Sequence, residues 1–350
     1  MAPRRRFGAD DPLRIVAIGG GNGLSTLLHG LKTYIHCGSS SDSPEDFQSL
    51  DLTAVVTVAD DGGSSGRLRR DFDILPPGDI RNCLVALSED EALLAQLFQY
   101  RFSSGKGLKG HTLGNLFLTA MTDLSGGDFA RAVQHASDVL ATCGRIYPAT
   151  SAKVVLEAQM ADGTRIEGES RISKSKARIH RIRVKPARPR PMPETLAAIA
   201  AADLITMGPG SLFTSVIPNL LVRGVPEAIA DSLALKVHFV NLMWQPGETS
   251  QFTASDHVRA IHDHAKRKLI DVVVCNNRPI ADPLQKRYAA ARSQPVVNDS
   301  VKLAQMGVRV IERELAADGP KVRHNSEALA ATAVELAAAA RRRNRRVQTA

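Results

Sequence analysis

The run RIVAIGGGNGLSTLLHGLK, Arg14 to Lys32, constrains the fold more than any other stretch. Ile15 to Ile18 is continuously apolar, as expected of a strand covered on both faces. Three glycines follow. Then Leu24, Leu27, Leu28 and Leu31 recur at helical spacing. After the polar segment CGSSSDSPEDFQSLD, the run LTAVVTV reads as a second buried strand. Strand, helix, strand predicts a parallel sheet and an α/β fold.

The pattern continues with helices. SEDEALLAQLFQY carries Ser88 as N-cap, and TLGNLFLTAMTDL places Leu113, Leu116, Phe117, Ala120 and Met121 on one apolar face. GGDFARAVQHASDVLATCG is a helix closed by Gly144. AKVVLEAQMADGTRIEGES then reads as a β-hairpin around Asp162-Gly163. The nine Lys and Arg residues from Arg171 to Arg190 suit a solvated edge better than a nucleic-acid site. ETLAAIAAADLITMGPGS, KVHFVNLMWQPGET and LIDVVVCNNRPI restore the α/β rhythm, and NSEALAATAVELAAAARRR is a closing helix. The expectation is a Rossmann-like, mostly parallel sheet with helices on both faces and an inserted antiparallel excursion over 151–193. Residues 1–13 form a basic tail, 14–325 the α/β domain, and 326–350 a helix with a basic tail.

Several classes are disfavoured. No apolar run reaches the length of a membrane span, and no apolar segment precedes the first strand, so the expected location is cytoplasmic. Cys37, Cys83, Cys143 and Cys275 form no Cys-x-x-Cys and read as reduced thiols. Of the 45 basic residues, eight lie in Arg4–Arg6 and in the run Arg341–Arg346, read as solvated termini. The remainder nearly balances the 36 acids. That near-neutral body, with 4% aromatics, argues against specific nucleic-acid binding. A homodimer is left open.

Polar loops gather at one position, the carboxyl ends of the expected strands, where open α/β sheets bind ligands. Gly19, Gly20, Gly21, Asn22, Gly23, Leu24 and Ser25 form an anion-friendly turn ahead of a helix N-terminus. This turn matches neither the Rossmann fingerprint nor Walker A. Gly208, Pro209, Gly210 and Ser211, with Thr214, Ser215 and Asn219, would supply the second half of a diphosphate clamp. Asn241, Met243, Trp244, Gln245, Glu248, Thr249 and Phe252 follow the next strand and offer contacts to a sugar or base, with Trp244 as an aromatic wall; an ordinary loop with Trp244 in the core is the competing reading. The run ADDGGSSGR mixes Asp60 and Asp61 with Gly62, Gly63, Ser64 and Ser65, a carboxylate pair beside a phosphate-friendly loop. Asp79, Arg81, Asn82, His111 and Asn115 stand at two further helix starts; capping is the competing reading for Asp79 and Thr112. Asp60, Asp61 and His111 are the candidate catalytic groups, and no nucleophile stands out.

GGGNGLS, VADDGGSSGRLR, PPGDIRNCLVAL, GHTLGNL, MGPGSLFTSVIPNLL and QPGET, in this order, resemble the CofD-like superfamily, and more narrowly its YvcK branch of gluconeogenesis factors. The resemblance spans about Arg14 to Asn325. It implies a nucleotide-diphosphate crevice in a regulatory protein that binds UDP-sugars, notably UDP-N-acetylglucosamine, and acts in carbon-source-dependent growth and cell shape. The alternative is a magnesium-dependent phosphoryl-type transferase similar to 2-phospho-L-lactate transferase. By this resemblance the two glycine loops hold the diphosphate, and Asp60 and Asp61 meet sugar hydroxyls or magnesium. Arg323, in the run RHN, reaches the ligand. Asn22, Trp244 and Gln251-Phe252 depart from the pattern, which bears on which ligand is bound.

Overall fold

The computed structural model describes residues 11–35, 49–89 and 91–349. The first ten residues, Cys37 and most of the polar segment around it lie outside these.

Seven parallel strands form the main sheet: β1 (Leu13–Gly19), β2 (Leu50–Val56), β3 (Arg145–Pro148), β7 (Leu204–Met207), β8 (Leu235–Phe239), β9 (Val272–Asn276) and β10 (Arg309–Arg313). Their spatial order is β10-β9-β8-β7-β1-β2-β3. Between β3 and β7 in sequence, β4 (Val155–Met160), β5 (Arg165–Glu167) and β6 (Ile179–Lys185) form a separate antiparallel sheet ordered β5-β4-β6. The chain runs outward from β1 to β3, returns through this small sheet, and restarts at β7 beside β1. Crossovers leaving in opposite directions with the same right hand put helices on both faces. The fold is the expected Rossmann-like α/β architecture with an antiparallel insert.

In the first half the helices are α1 (Gly21–Lys32), α2 (Gly63–Asp71), α3 (Gly78–Leu87), α4 (Glu91–Gln99), α5 (Leu113–Leu124), α6 (Phe129–Val139) and the short α7 (Glu169–Lys174). Ile15, Ala17, Ile18, Ala54, Val55 and Val56 are fully enclosed, as their unbroken apolar runs require. Leu24, Leu27, Leu28 and Leu31 turn α1 into the same core.

Local details differ from the sequence reading. Ser88 ends α3 instead of starting α4; its hydroxyl donates to the Val85 carbonyl at 2.9 Å. The buried side of α5 carries Asn115, Leu118, Thr119 and Thr122, while Leu113, Leu116, Phe117 and Met121 are half-buried and Ala120 is exposed. A polar layer contributed by α2 faces α5, so polar residues turn inward there. The sixth helix stops at Val139, before Ala141 at φ +44°, and Gly144 leads into β3. Cys143 is disulfide-bonded, against the expectation of reduced thiols throughout. Cys83 and Cys275 are buried free thiols.

The closing helix Ser326–Thr349 runs through the arginine-rich end of the chain. Arg341 is buried, not solvated. Its guanidinium pairs with buried Asp203 and donates to the Asp11 and Pro12 carbonyls. Leu329, Ala330, Ala333 and Ala337 have no exposure, and the helix packs on α1. Among the described residues, no helix is long and apolar enough to cross a membrane.

Candidate functional site

The reversal between β1 and β7 opens a crevice at their carboxyl ends, the switch point where open α/β sheets take ligands. Each strand delivers a glycine loop into it. β1 ends at Gly19 and α1 begins two residues later, so the helix N-terminus lies against the strand end. Gly21 takes φ +58°, Gly208 +78° and Gly210 +149°, conformations that favour glycine. Peptide 208–209 is cis. A β-carbon on Gly23 would lie 2.6 Å from the Gly210 Cα, so the two loops touch. Asn219 fastens them: its amide donates to the Gly19 carbonyl at 3.2 Å and the Ser215 carbonyl at 2.8 Å. Leu24 is turned wholly into the core.

A cavity of about 360 Å³ opens over the clamp. Gly20 to Gly23, Gly210, Ser211, Asn241, Met243, Trp244, Gln245 and Arg323 line it. Asn241 donates to Gln245 at 2.9 Å, and Gln245 donates to Ser211 Oγ at 2.7 Å, so the β8 loop is bonded to the β7 loop. Thr249 Oγ1 accepts from the Gln245 N–H at 3.0 Å. Half-buried Trp244 donates its indole N–H to the Phe252 carbonyl at 3.0 Å. Tyr288 and Val322 complete the wall, and sequence reasoning did not find them. Tyr288 sits on the helix Asp282–Ala290, whose polar sequence carried no functional signal. Asn22 and Arg323 also line a second lobe of about 830 Å³ with Ser25, His29 and Asn82.

Glu248 and Phe252 face elsewhere. Glu248 accepts from the Phe213 N–H at 3.3 Å and Thr214 Oγ1 at 3.1 Å, capping the turn Leu212–Val216. Burial raises its carboxyl to about 7, against those two hydrogen bonds. Phe252 packs edge-on against Phe213 and His257, outside the clamp cavity.

The adjacent acids of ADDGGSSG have separate partners. Asp60 accepts from the Gly62 N–H at 2.8 Å, shaping the turn into α2. Asp61 accepts from the Ser170 N–H at 2.8 Å, capping α7 from across the fold. The carboxylate that reaches the clamp is Asp79: its Oδ2 would stand 2.7 Å from a β-carbon on Gly20, and the Gly21 N–H bonds to it. Burial, then Asp60, raise Asp79 to about 7. Glu169 is raised as well, by burial and by Asp60 and Asp61.

Behind the acids lies a polar layer. Ser64 Oγ and His111 Nδ1 are 2.9 Å apart. Arg81 donates to Thr112 at 2.7 Å, Asn115 at 3.0 Å and Asn82 at 2.7 Å, and Asn115 reaches Ser65 at 3.4 Å. Burial, then Arg67, hold His111 below the usual imidazole value. Three separated motifs therefore lock α2, α3 and α5 together beside the crevice. Gly63, at φ +46°, starts α2 with nothing within 4 Å of its missing β-carbon.

The sequence profile of the family described as "2-phospho-L-lactate transferase CofD" matches residues 15–316. The chain belongs to the CofD family. Within this family it is similar to the gluconeogenesis factor of Halalkalibacterium halodurans, 47% identical over 322 residues, 92% of this chain and 95% of that protein. It is similar also to the gluconeogenesis factor of Bacillus subtilis, 45% identical over 324 residues, covering 92% and 98%. The crystal structure of a Bacillus halodurans protein superimposes with a TM-score of 0.86 at 46% identity, covering 93% of this chain and 100% of that one. A second structure, described as a member of the UPF0052 family, gives 0.85.

For this CofD-family chain, magnesium can be tested against the residues present. Magnesium commonly uses one or two carboxylates plus substrate phosphates. Asp79, against the clamp, with its neighbour Asp60 fits that requirement. Asp61, committed to Ser170, is turned toward the insert. No group of three or more His, Cys, Asp or Glu side chains gathers for a metal among the described residues.

Proposed function

We propose that the crevice binds a nucleoside-diphosphate sugar of the UDP-N-acetylglucosamine class, and that the chain acts as a cytosolic regulatory protein. The reading includes a role in carbon-source-dependent growth and cell shape. The supporting observation is the contact of the two glycine loops at the switch point, where only missing β-carbons let the backbones approach. The first turn of α1 offers N–H groups to a diphosphate. Trp244 and Tyr288 supply a wall for a base, and Arg323 stands at the junction of the two lobes. The similarity to gluconeogenesis factors supports the regulatory part.

The test is thermal stability with UDP-N-acetylglucosamine, UDP-glucose, GDP and GTP, with and without magnesium. Ligand at about 100 times Kd should add about 2.7 kcal/mol. No stabilisation by any uridine nucleotide overturns the reading.

The second reading is a magnesium-dependent transferase. Its support is the description of the matching family and the Asp60–Asp79 pair beside the clamp. Magnesium would supply charge neutralisation at the transferred phosphorus. Asp79 and Asp60 would hold it, while the glycine loops orient the diphosphate. Product formation from a nucleoside-diphosphate ester and an alcohol separates the readings: turnover abolished in D60N with the fold intact supports the transferase.

A further inference from the structure

A second cavity, of about 510 Å³, lies between the small sheet and the helix Ala254–Ala265. Its volume is typical of small-molecule sites. The floor is apolar and aromatic, formed by Ile179, Phe213, Phe252 and Ala260. One wall, at the start of β6, carries Arg178, His180 and Arg181 without a carboxylate. The helix wall carries Asp256, Arg259 and Asp263, with Lys266 at its end.

The charges are not equally engaged. Asp256 is committed to Thr253 in the helix cap and to Arg259 at 2.7 Å. Arg178, Arg181 and Lys266 have no ion-pair partner among the described residues. The Arg178 guanidinium sits 5.4 Å from the Phe252 ring centre, a cation–π contact that orders it over the floor. Three unmatched cations against one unmatched carboxylate, Asp263, beside an apolar floor favour a ligand with an anionic head and an apolar body.

The cavity shares its walls with the clamp. The segment after β7 sends Ser211 into the crevice and Phe213 into this pocket; the β8 loop sends Trp244 one way and Phe252 the other. The indole N–H of Trp244 holds the Phe252 carbonyl. We propose that this pocket is a second binding site, for a small organic anion with an apolar body, whose occupancy is felt at the clamp through Phe213 and Phe252.

Phenyl phosphate is the probe, with phenol lacking the anion and inorganic phosphate lacking the ring. Binding to the full chain is followed by calorimetry and by fluorescence of Trp244, the single tryptophan. Phenyl phosphate should saturate and change that fluorescence, binding at least tenfold more tightly than either control. R181Q should weaken it about tenfold and K266Q several-fold, with R181K retaining most of the affinity. Circular dichroism checks the fold of each variant. Unchanged affinity in both R181Q and K266Q, or no preference over phenol and phosphate, overturns the proposal.

Discussion

Gly23 and Gly210 meet across the switch point with no space for a side chain: a β-carbon on the first would stand 2.6 Å from the Cα of the second. Alanine at Gly23 must push the loops apart. Gly21 differs, since its nearest neighbour would be Ser215 Oγ at 3.8 Å and only its φ of +58° resists a side chain. G23A should cost about 1–3 kcal/mol, as overpacking does, and lower affinity for UDP-N-acetylglucosamine at least tenfold. G21A should cost about 1 kcal/mol through backbone strain and change affinity less. Chemical denaturation beside calorimetric titration measures both.

Ligand affinity should depend on pH through Asp79. Its carboxyl, at about 7, lies against the clamp and carries charge of the same sign as a diphosphate. Protonation removes that repulsion, so affinity for UDP-N-acetylglucosamine should rise about three- to tenfold from pH 8 to pH 6. D79N should bind with little pH dependence and, at pH 8, more tightly than the parent. Equal slopes in parent and D79N contradict the assignment.

Stability against acid reflects two opposed sets of groups. Burial holds His238 at about 3 and His324 at about 4, below the ordinary imidazole value of 6.5. Their stabilising effect is complete above pH 6.5 and is lost as pH falls toward those values, about 2 kcal/mol each at pH 5. Glu248 and Asp79 are raised to about 7, so they disfavour folding above that pH and oppose the histidines on acidification. E248Q keeps an acceptor for the Phe213 N–H, lets its amide donate to Thr214 Oγ1, and removes the Glu248 share of this offset. Between pH 7.5 and pH 5 it should lose about 2 kcal/mol more stability than the parent, measured by urea denaturation.

The Arg341–Asp203 pair ties the closing helix to the amino ends of β1 and β7. Asp203 also accepts from the Arg14 N–H at 2.8 Å. Removing one partner leaves an uncompensated buried charge. R341A should cost about 3–5 kcal/mol and D203A a similar amount, with the double variant costing less than their sum. A thermodynamic cycle built from denaturation curves tests this.

The elements legible in the sequence are those with a strong period or an unbroken apolar run. β1, α1 and β2 are fixed by Ile15–Ile18, the leucines of α1 and LTAVVTV. β3 has four residues and ends in Pro148; β10, RVIER, is charged and partly exposed. Neither carries the apolar run of an interior strand. The glycine loops were legible because close backbone approach demands residues without β-carbons. The separate tasks of Asp60 and Asp61 were not, because the Ser170 partner lies 109 residues away in sequence. The same holds for Arg341: an arginine run looks solvated until the fold supplies an acid 138 residues away.

Asn219 holds the Gly19 carbonyl from 200 residues further along the chain. During synthesis, the first glycine loop must wait while β2, β3 and the entire small sheet emerge before its counterpart exists. A nascent chain stalled ahead of β7 carries half a clamp. The binding crevice is therefore among the last features to form, and ligand capture reports on completed assembly of the sheet more than on any local segment.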